Sequence, residues 1–214
     1  MKKSILLFIC LLSTTFTIAQ INYPGQPLSW TFNIDAVVPA LTMPSLDLET
    51  LRSEDEVNDQ IKESPYRFGL DHQVSFNYFE KAMETSDGKN NIYQMAISCP
   101  EALSVSLVFD EFYIPKGGSL FVYSEDRSEL KGAFTHRSNK DSGIFPVGLI
   151  KGQKIILEYN GPIEGAKLHV GEVTQGYRNV LTKWDPSRGP FGEGDPCHLN
   201  VNCEEASGWQ DQKR

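Results

Sequence analysis

Apolar and polar side chains alternate through the middle of the chain. Val74, Phe76 and Tyr78 flank Ser75 and Asn77, and Tyr93, Met95 and Ile97 share one face of the next run. Val105, Leu107 and Phe109 alternate with Ser104 and Ser106. A period of two puts such residues on one side of an extended chain, so each run predicts a half-buried strand. Pro115-Lys116-Gly117-Gly118 interrupts the pattern before an aromatic strand, Leu120 to Tyr123. Further strands are predicted at Phe145, Val147 and Leu149, at Ile155, Leu157 and Tyr159, and from Lys167 to Val173, with Asn160-Gly161-Pro162 as a turn. Short strands at a spacing of about ten residues, punctuated by Gly, Pro and Asn, predict an all-β fold: an antiparallel β-sandwich or jelly-roll-like domain over 66–180 with irregular arms at both ends. The alternating apolar positions form its core, and Phe and Tyr carry much of the buried area.

The flanks read differently. Met1-Lys2-Lys3 is followed by an apolar stretch from Ile5 to Leu12 and by Thr17-Ile18-Ala19. This is the layout of a secretory signal peptide cleaved after Ala19, which predicts export to the periplasm or the extracellular space. The apolar stretch is too short for a bilayer anchor, and Cys10, preceded by bulky Phe8 and Ile9, does not fit a lipidation site. Residues 20–65 read as a Pro-rich acidic linker, punctuated by Pro24, Pro27, Pro39, Pro44 and Pro65. Leu48, Leu51, Val57 and Ile61 predict one short amphipathic helix around 48–62. The acidic run Glu54 to Asp59 lacks the turn glycine and ligand spacing of an EF-hand and reads as a solvated helix face. Beyond the strands, Pro186, Gly189, Pro190, Gly192, Gly194 and Pro196 make 181–196 an irregular linker.

Charge narrows the partners. The chain carries −8, and removal of the leader takes Lys2 and Lys3 with it, leaving −10. Such a surface repels phosphate backbones, so neither nucleic acid nor, once the leader is removed, a membrane is expected as a partner. The processed chain is expected to be a monomer. Three cysteines remain after the leader: Cys99, Cys197 and Cys203. An odd count in an oxidising compartment implies a free thiol or missing partners. Cys197 and Cys203 are close enough in sequence to pair with each other, and each could equally await a cysteine beyond residue 214.

The residues offer little chemistry of their own. A serine nucleophile needs a base within reach and donors for the oxyanion. Asp141-Ser142-Gly143 is flanked by Lys140 and Ile144, where a serine-protease nucleophile turn needs glycine, and reads as a polar hairpin turn. His72, His136, His169 and His198 are scattered, without metal-ligand spacing, and His136 and His169 are expected on solvated strand faces. Gly189, Gly192 and Gly194 lack phosphate-loop spacing. Hence no metal, cofactor or catalytic centre is expected, although the many acidic residues leave a glycosidase-type carboxylate pair open.

The order of several motifs says more than any one of them. Arg67-Phe68-Gly69, Val105 to Asp110, Phe112-Tyr113-Ile114-Pro115-Lys116-Gly117, Leu120 to Tyr123, Ile156 to Pro162 and Gly176-Tyr177-Arg178 occur in that order. Phe191-Gly192, Cys197-His198-Leu199-Asn200-Val201-Asn202-Cys203 and Trp209 to Arg214 follow. From about residue 20 onward this set resembles the pro-region and mature start of secreted bacterial trypsin-like serine proteases of the lysyl endopeptidase type.

The resemblance implies that 197–214 opens a mature protease truncated before its catalytic barrel, whose Ser/His/Asp triad has no position in this chain. It implies that Cys197 and Cys203 pair with cysteines deeper in that barrel. It implies too that the β-domain assists folding of its own protease domain or blocks its cleft. Processing is then expected at Lys183 or Arg188, with Arg188 favoured because Gly189 follows it. The alternative is an accessory sandwich that binds a polysaccharide or cell surface, which should display exposed aromatics or a calcium-type carboxylate cluster along one loop edge.

Overall fold

The computed structural model describes residues 25–180 except 35, 62–64 and 87. The expected signal peptide ending at Ala19, the expected processing linker 181–196 with Lys183 and Arg188, and the stretch 197–214 with Cys197 and Cys203 lie outside the described residues.

Among the described residues ten strands, seven of them at the alternating runs, form two stacked sheets, and the fold is an all-β sandwich. We number the elements α1 Leu28–Thr31, β1 Ala40–Thr42, α2 Leu48–Asn58, β2 Gly69–Asn77, α3 Tyr78–Lys81, β3 Met83–Ser86, β4 Asn91–Ser98 and β5 Ser104–Tyr113. β6 Ser119–Ser124, β7 Leu130–Thr135, β8 Phe145–Lys151, β9 Lys154–Asn160 and β10 Lys167–Gly176 follow. The first sheet has the order β1-β4-β9-β6-β7, with β3 also on β4, and the second the order β2-β10-β5-β8. Every pairing is antiparallel except β1 with β4.

Side chains of alternate residues meet between the sheets, as a sandwich requires. Tyr93, Met95, Ile97, Leu157 and Tyr159 from the first sheet face Val105, Leu107, Phe109, Val147 and Val170 from the second in one buried cluster. Phe112 and Phe145 stack with ring centres 4.2 Å apart, and Phe134 meets Phe145 edge-on at 4.9 Å. Pro146 sits on β8, an edge strand, where its missing N–H need not interrupt a central ladder. Among the described residues no helix is long and apolar enough to cross a membrane.

Four features depart from the alternation. The first is the stretch 20–65, expected as a linker, whose described residues contribute two helices and a strand. β1 lies parallel along Ala96–Ser98, and its flanks add bonds from Ala96 N–H to the Pro39 carbonyl and from Met43 N–H to the Ser98 carbonyl, both 2.8 Å. With β3 on the same side at Asn91–Gln94, it satisfies an edge that would otherwise stay unpaired. Met43 and Leu46 are buried as a result.

The second is helix α2, which ends at Asn58 rather than near 62 and presents a different face from the one expected. Leu51 and Asp55 are buried, whereas Val57 and Ile61 are exposed. Asp47 caps its start by accepting from the Thr50 N–H at 3.1 Å. The third is Tyr78, which ends the strand and opens α3. Its fully buried hydroxyl donates to the Tyr93 carbonyl at 2.5 Å and accepts from the Tyr159 N–H at 3.1 Å.

The fourth is a set of register shifts. Val105 pairs with Ile150 but Leu107 with Val147, so the buried position passes from Leu149 to Ile150. Phe109 and Phe112 both point inward from one ten-residue strand because Asp110 is an extra residue opposite β10. Bulges of this kind re-aim side chains.

Candidate functional site

Two of the motifs that carry the resemblance come together at one end of the second sheet. β2 and β10 pair so that Gly69 lies opposite Gly176, and the Phe68 carbonyl accepts from the N–H groups of both Tyr177 and Arg178 at 3.1 and 3.0 Å. The contact is tight enough to select glycine. A Cβ on Gly69 would lie 2.8 Å from the Gln175 carbonyl oxygen, and one on Gly176 would clash with Ser104 Oγ.

Around this junction stands an ion network anchored on Asp55 of α2, which is 5% exposed. Its Oδ1 accepts from Arg67 Nε at 2.8 Å and its Oδ2 from the Tyr177 hydroxyl at 2.7 Å, with Arg178 Nη1 at 3.6 Å. A buried carboxylate is stable only when its oxygens are bonded in this way. Arg67 also reaches Glu54 at 2.9 Å and the Leu51 carbonyl at 3.1 Å. Arg178 holds Asp59 through two bonds of 2.6 and 3.1 Å and lies 3.8 Å from the Tyr66 ring centre. The bond from Arg178 holds Asp59 below the usual carboxylate range. Burial, followed by the bond to Asp55, pushes Tyr177 up to about 12. Leu46, Leu51 and Tyr177 pack into a small apolar cluster beside the network, so α2 is tied to the end of β10 by both charge and packing.

A second constellation lies on the outer face of the same sheet. Ser75 on β2, His169 on β10 and Asp110 on β5 occupy three neighbouring strands. His169 Nδ1 is 2.5 Å from Asp110 Oδ1, and Nε2 is 3.2 Å from Ser75 Oγ. His169 was expected on a solvated strand face; it stands on an outer face, bonded at both nitrogens. Sequence reasoning missed the grouping because its members are 59 and 94 residues apart and two of them sit at register shifts that no pattern announces.

A third lies on the outer face of the first sheet, beneath α1. Glu158 is fully buried and accepts from Ser29 N–H at 3.0 Å, Ser29 Oγ at 2.5 Å, Gln94 Nε2 at 3.1 Å and the Tyr123 hydroxyl at 3.0 Å. Burial and the Glu158 charge push Tyr123 up to about 12. Beside this cluster a cavity of about 260 Å³ is lined by Ile34, Ala36–Val38, Gln94, Tyr123, Glu125, Arg127, Lys154 and Ile156. Gln94 Oε1, from a residue that lines this cavity, and Trp30 Nε1, beside Tyr123, are buried without a hydrogen-bond partner. Trp30 packs edge-on against Tyr123 and carries the Arg127 guanidinium 5.7 Å from its ring centre.

The other residues named from sequence are placed as follows. Cys99 is fully buried in the main core, where burial pushes its thiol up to about 12. Ser142 belongs to a turn in which Gly143 N–H bonds the Lys140 carbonyl at 3.0 Å and Ile144 N–H bonds Ser142 Oγ at 3.3 Å. His136 is exposed at the start of a short 3-10 turn. His72 lies on β2 with Nε2 buried and unpartnered. Among the described residues no group of three or more His, Cys, Asp or Glu could hold a metal ion. Asp126, held at about 2 by hydrogen bonds from Ser124 and Ser128, caps the turn after β6. No family model matches the chain.

Proposed function

We propose that the sandwich is the non-catalytic pro-region of an exported trypsin-like serine endopeptidase precursor, acting on its own protease domain as a folding assistant or as an inhibitor of its cleft. One observation supports this reading above the rest. The motifs Arg67-Phe68-Gly69 and Gly176-Tyr177-Arg178, distant in sequence, form a single clamp. That clamp closes immediately before the Pro/Gly-rich stretch that holds Lys183 and Arg188. A pro-region must hold its own fold while the chain directly after it is cut, so a charged and hydrogen-bonded anchor at the last strand suits the role. Within this reading the leader ending at Ala19 directs export, Cys197 and Cys203 belong to the protease, and cleavage falls at Arg188 or Lys183.

The test is refolding in trans. A denatured protease domain of the lysyl endopeptidase type is diluted from denaturant with and without the processed chain, and lysyl-substrate turnover is followed. The expected result is either a several-fold gain in recovered activity or inhibition of the native enzyme that saturates with added chain. If both recovery and native activity are unchanged at excess chain, the proposal fails.

A further inference from the structure

We propose that Ser75, His169 and Asp110 form a nucleophilic acyl-transfer site on the outer face of the second sheet, reactive toward activated esters such as aryl esters of short acids. The proposal goes beyond the pro-region reading, in which non-catalytic refers to the protease triad alone, and it does not rest on that reading, because its test reads the sandwich without a protease domain.

The geometry suits these roles. In the tautomer assigned by the proposal, His169 Nδ1 carries the proton and donates to Asp110 Oδ1 at 2.5 Å. Nε2 is then left as the acceptor for Ser75 Oγ–H at 3.2 Å, which is the order of nucleophile, base and orienting carboxylate that activates a serine. The site is open to solvent: Ser75 is exposed, and the His169 and Asp110 side chains are 27% and 53% exposed. It is also built rather than incidental to regular pleating. Asp110 is the extra residue between the Phe109 and Glu111 pairings. Val74 and Ser75 together oppose the single Gly171. Gly171 itself leaves room for the carboxylate, since a Cβ there would lie 2.8 Å from Asp110 Cγ and Oδ2. Bulges that re-aim side chains are the feature by which sheets place such groups.

In the reaction Ser75 Oγ bonds to the acyl carbon as its proton passes to His169 Nε2, and Asp110 offsets the imidazolium charge. The bond from the acyl carbon to the aryl oxygen breaks, the aryl oxygen leaves with the electron pair, and the proton on His169 Nε2 passes to it or to solvent, which restores the neutral imidazole. Water then attacks the acyl-serine, giving its proton to His169. The carboxylic acid departs and Ser75 recovers its hydrogen. Backbone N–H groups of a strand lie in the plane of the sheet, between strands, so the oxyanion that develops above the face lacks the preorganised donors that amide hydrolysis requires. The substrate class is therefore restricted to esters with good leaving groups.

The experiment treats the processed chain with a fluorophosphonate probe, which spares lysines, and maps the adduct by peptide mass. In parallel, 4-nitrophenyl acetate hydrolysis is compared across variants. Labelling is expected at Ser75 and absent in Ser75→Ala. Ser75→Cys should keep the acetate reaction, His169→Gln should lose it, and Asp110→Asn should slow it by about 10- to 100-fold. Equal labelling of the wild type and Ser75→Ala, or undiminished labelling in His169→Gln, overturns the proposal. If His169→Gln does not fold, the Ser75→Ala and Ser75→Cys pair decides alone, because that position is exposed.

Discussion

At the scale of single residues, Asp55 governs more of the molecule than its place in an acidic run suggests. Glu54 to Asp59 reads as a solvated face because nothing in the local pattern separates Asp55 from its neighbours. What singles it out is the arrival of Arg67, Tyr177 and Arg178 from beyond the helix. Charged residues that pair across such distances leave no periodic trace. Replacement of Asp55 by Ala removes the acceptor shared by a buried hydroxyl and a partly buried guanidinium. Loss of one partner of a fully buried pair is worth about 3–5 kcal/mol; with Arg67 29% and Arg178 22% exposed, screening reduces the expected loss to about 2 kcal/mol. Tyr177→Phe, which leaves Asp55 its arginine, should cost about 1 kcal/mol. Urea denaturation followed by circular dichroism measures both, and an unchanged midpoint in Asp55→Ala would remove the clamp from the account of stability.

At the scale of elements, the strands were legible wherever one face meets the core and the other meets solvent, because alternation is then imposed by burial. It was least informative where that condition fails. β1 was hidden since its three residues alternate between exposed and half-buried and it is held by parallel pairing to a distant strand. The bulges at Asp110 and Gly171, and the shift between Val105 and Leu107, were hidden because a register belongs to two strands at once. The Ser75, His169 and Asp110 grouping vanished from the sequence with them.

Buried tyrosines on two legible strands and on α3, which the alternation did not announce, carry a further consequence. β6, β9 and α3 bring Tyr123, Tyr159 and Tyr78 into the interior. Burial pushes Tyr123 and Tyr159 up to about 12 from 10.0 and Tyr78 well above 10.0, and it pushes the Cys99 thiol from 9.0 to about 12. Each group has a folded value above its unfolded one. Their contribution is therefore fully present below the unfolded values and is lost as pH rises through the folded ones. Denaturation midpoints should stay level up to about pH 9 and fall steeply by about pH 12. Tyrosinate absorbance in the ultraviolet should rise with unfolding rather than before it. A fall that is abolished by added salt would assign the effect to net negative charge instead.

At the scale of the whole molecule, the strands lie between Gly69 and Gly176 apart from β1, and the clamp at Arg67 and Arg178 brackets them. Cleavage by a protease requires an extended stretch of chain that can leave its partners, so backbone committed to ladders resists and stretches rich in Pro and Gly do not. Exposed Lys89 and Arg127 lie in turns between paired strands, and exposed Lys116 lies in the short connection from β5 to β6, where cutting requires local opening of the sandwich. Lys183 and Arg188 fall in a stretch with Pro186, Gly189 and Pro190, whose composition disfavours stable pairing. Limited digestion of the processed chain with a lysine- or arginine-specific protease should therefore cut first after Arg188 or Lys183 and leave a resistant fragment ending close to the clamp. Asp55→Ala should shorten the lifetime of that fragment without moving the first cut, since the clamp guards the sandwich rather than the linker. Intact-mass analysis over time distinguishes the outcomes: first cuts inside 72–175 with the linker unbroken would place the boundary of the resistant unit elsewhere.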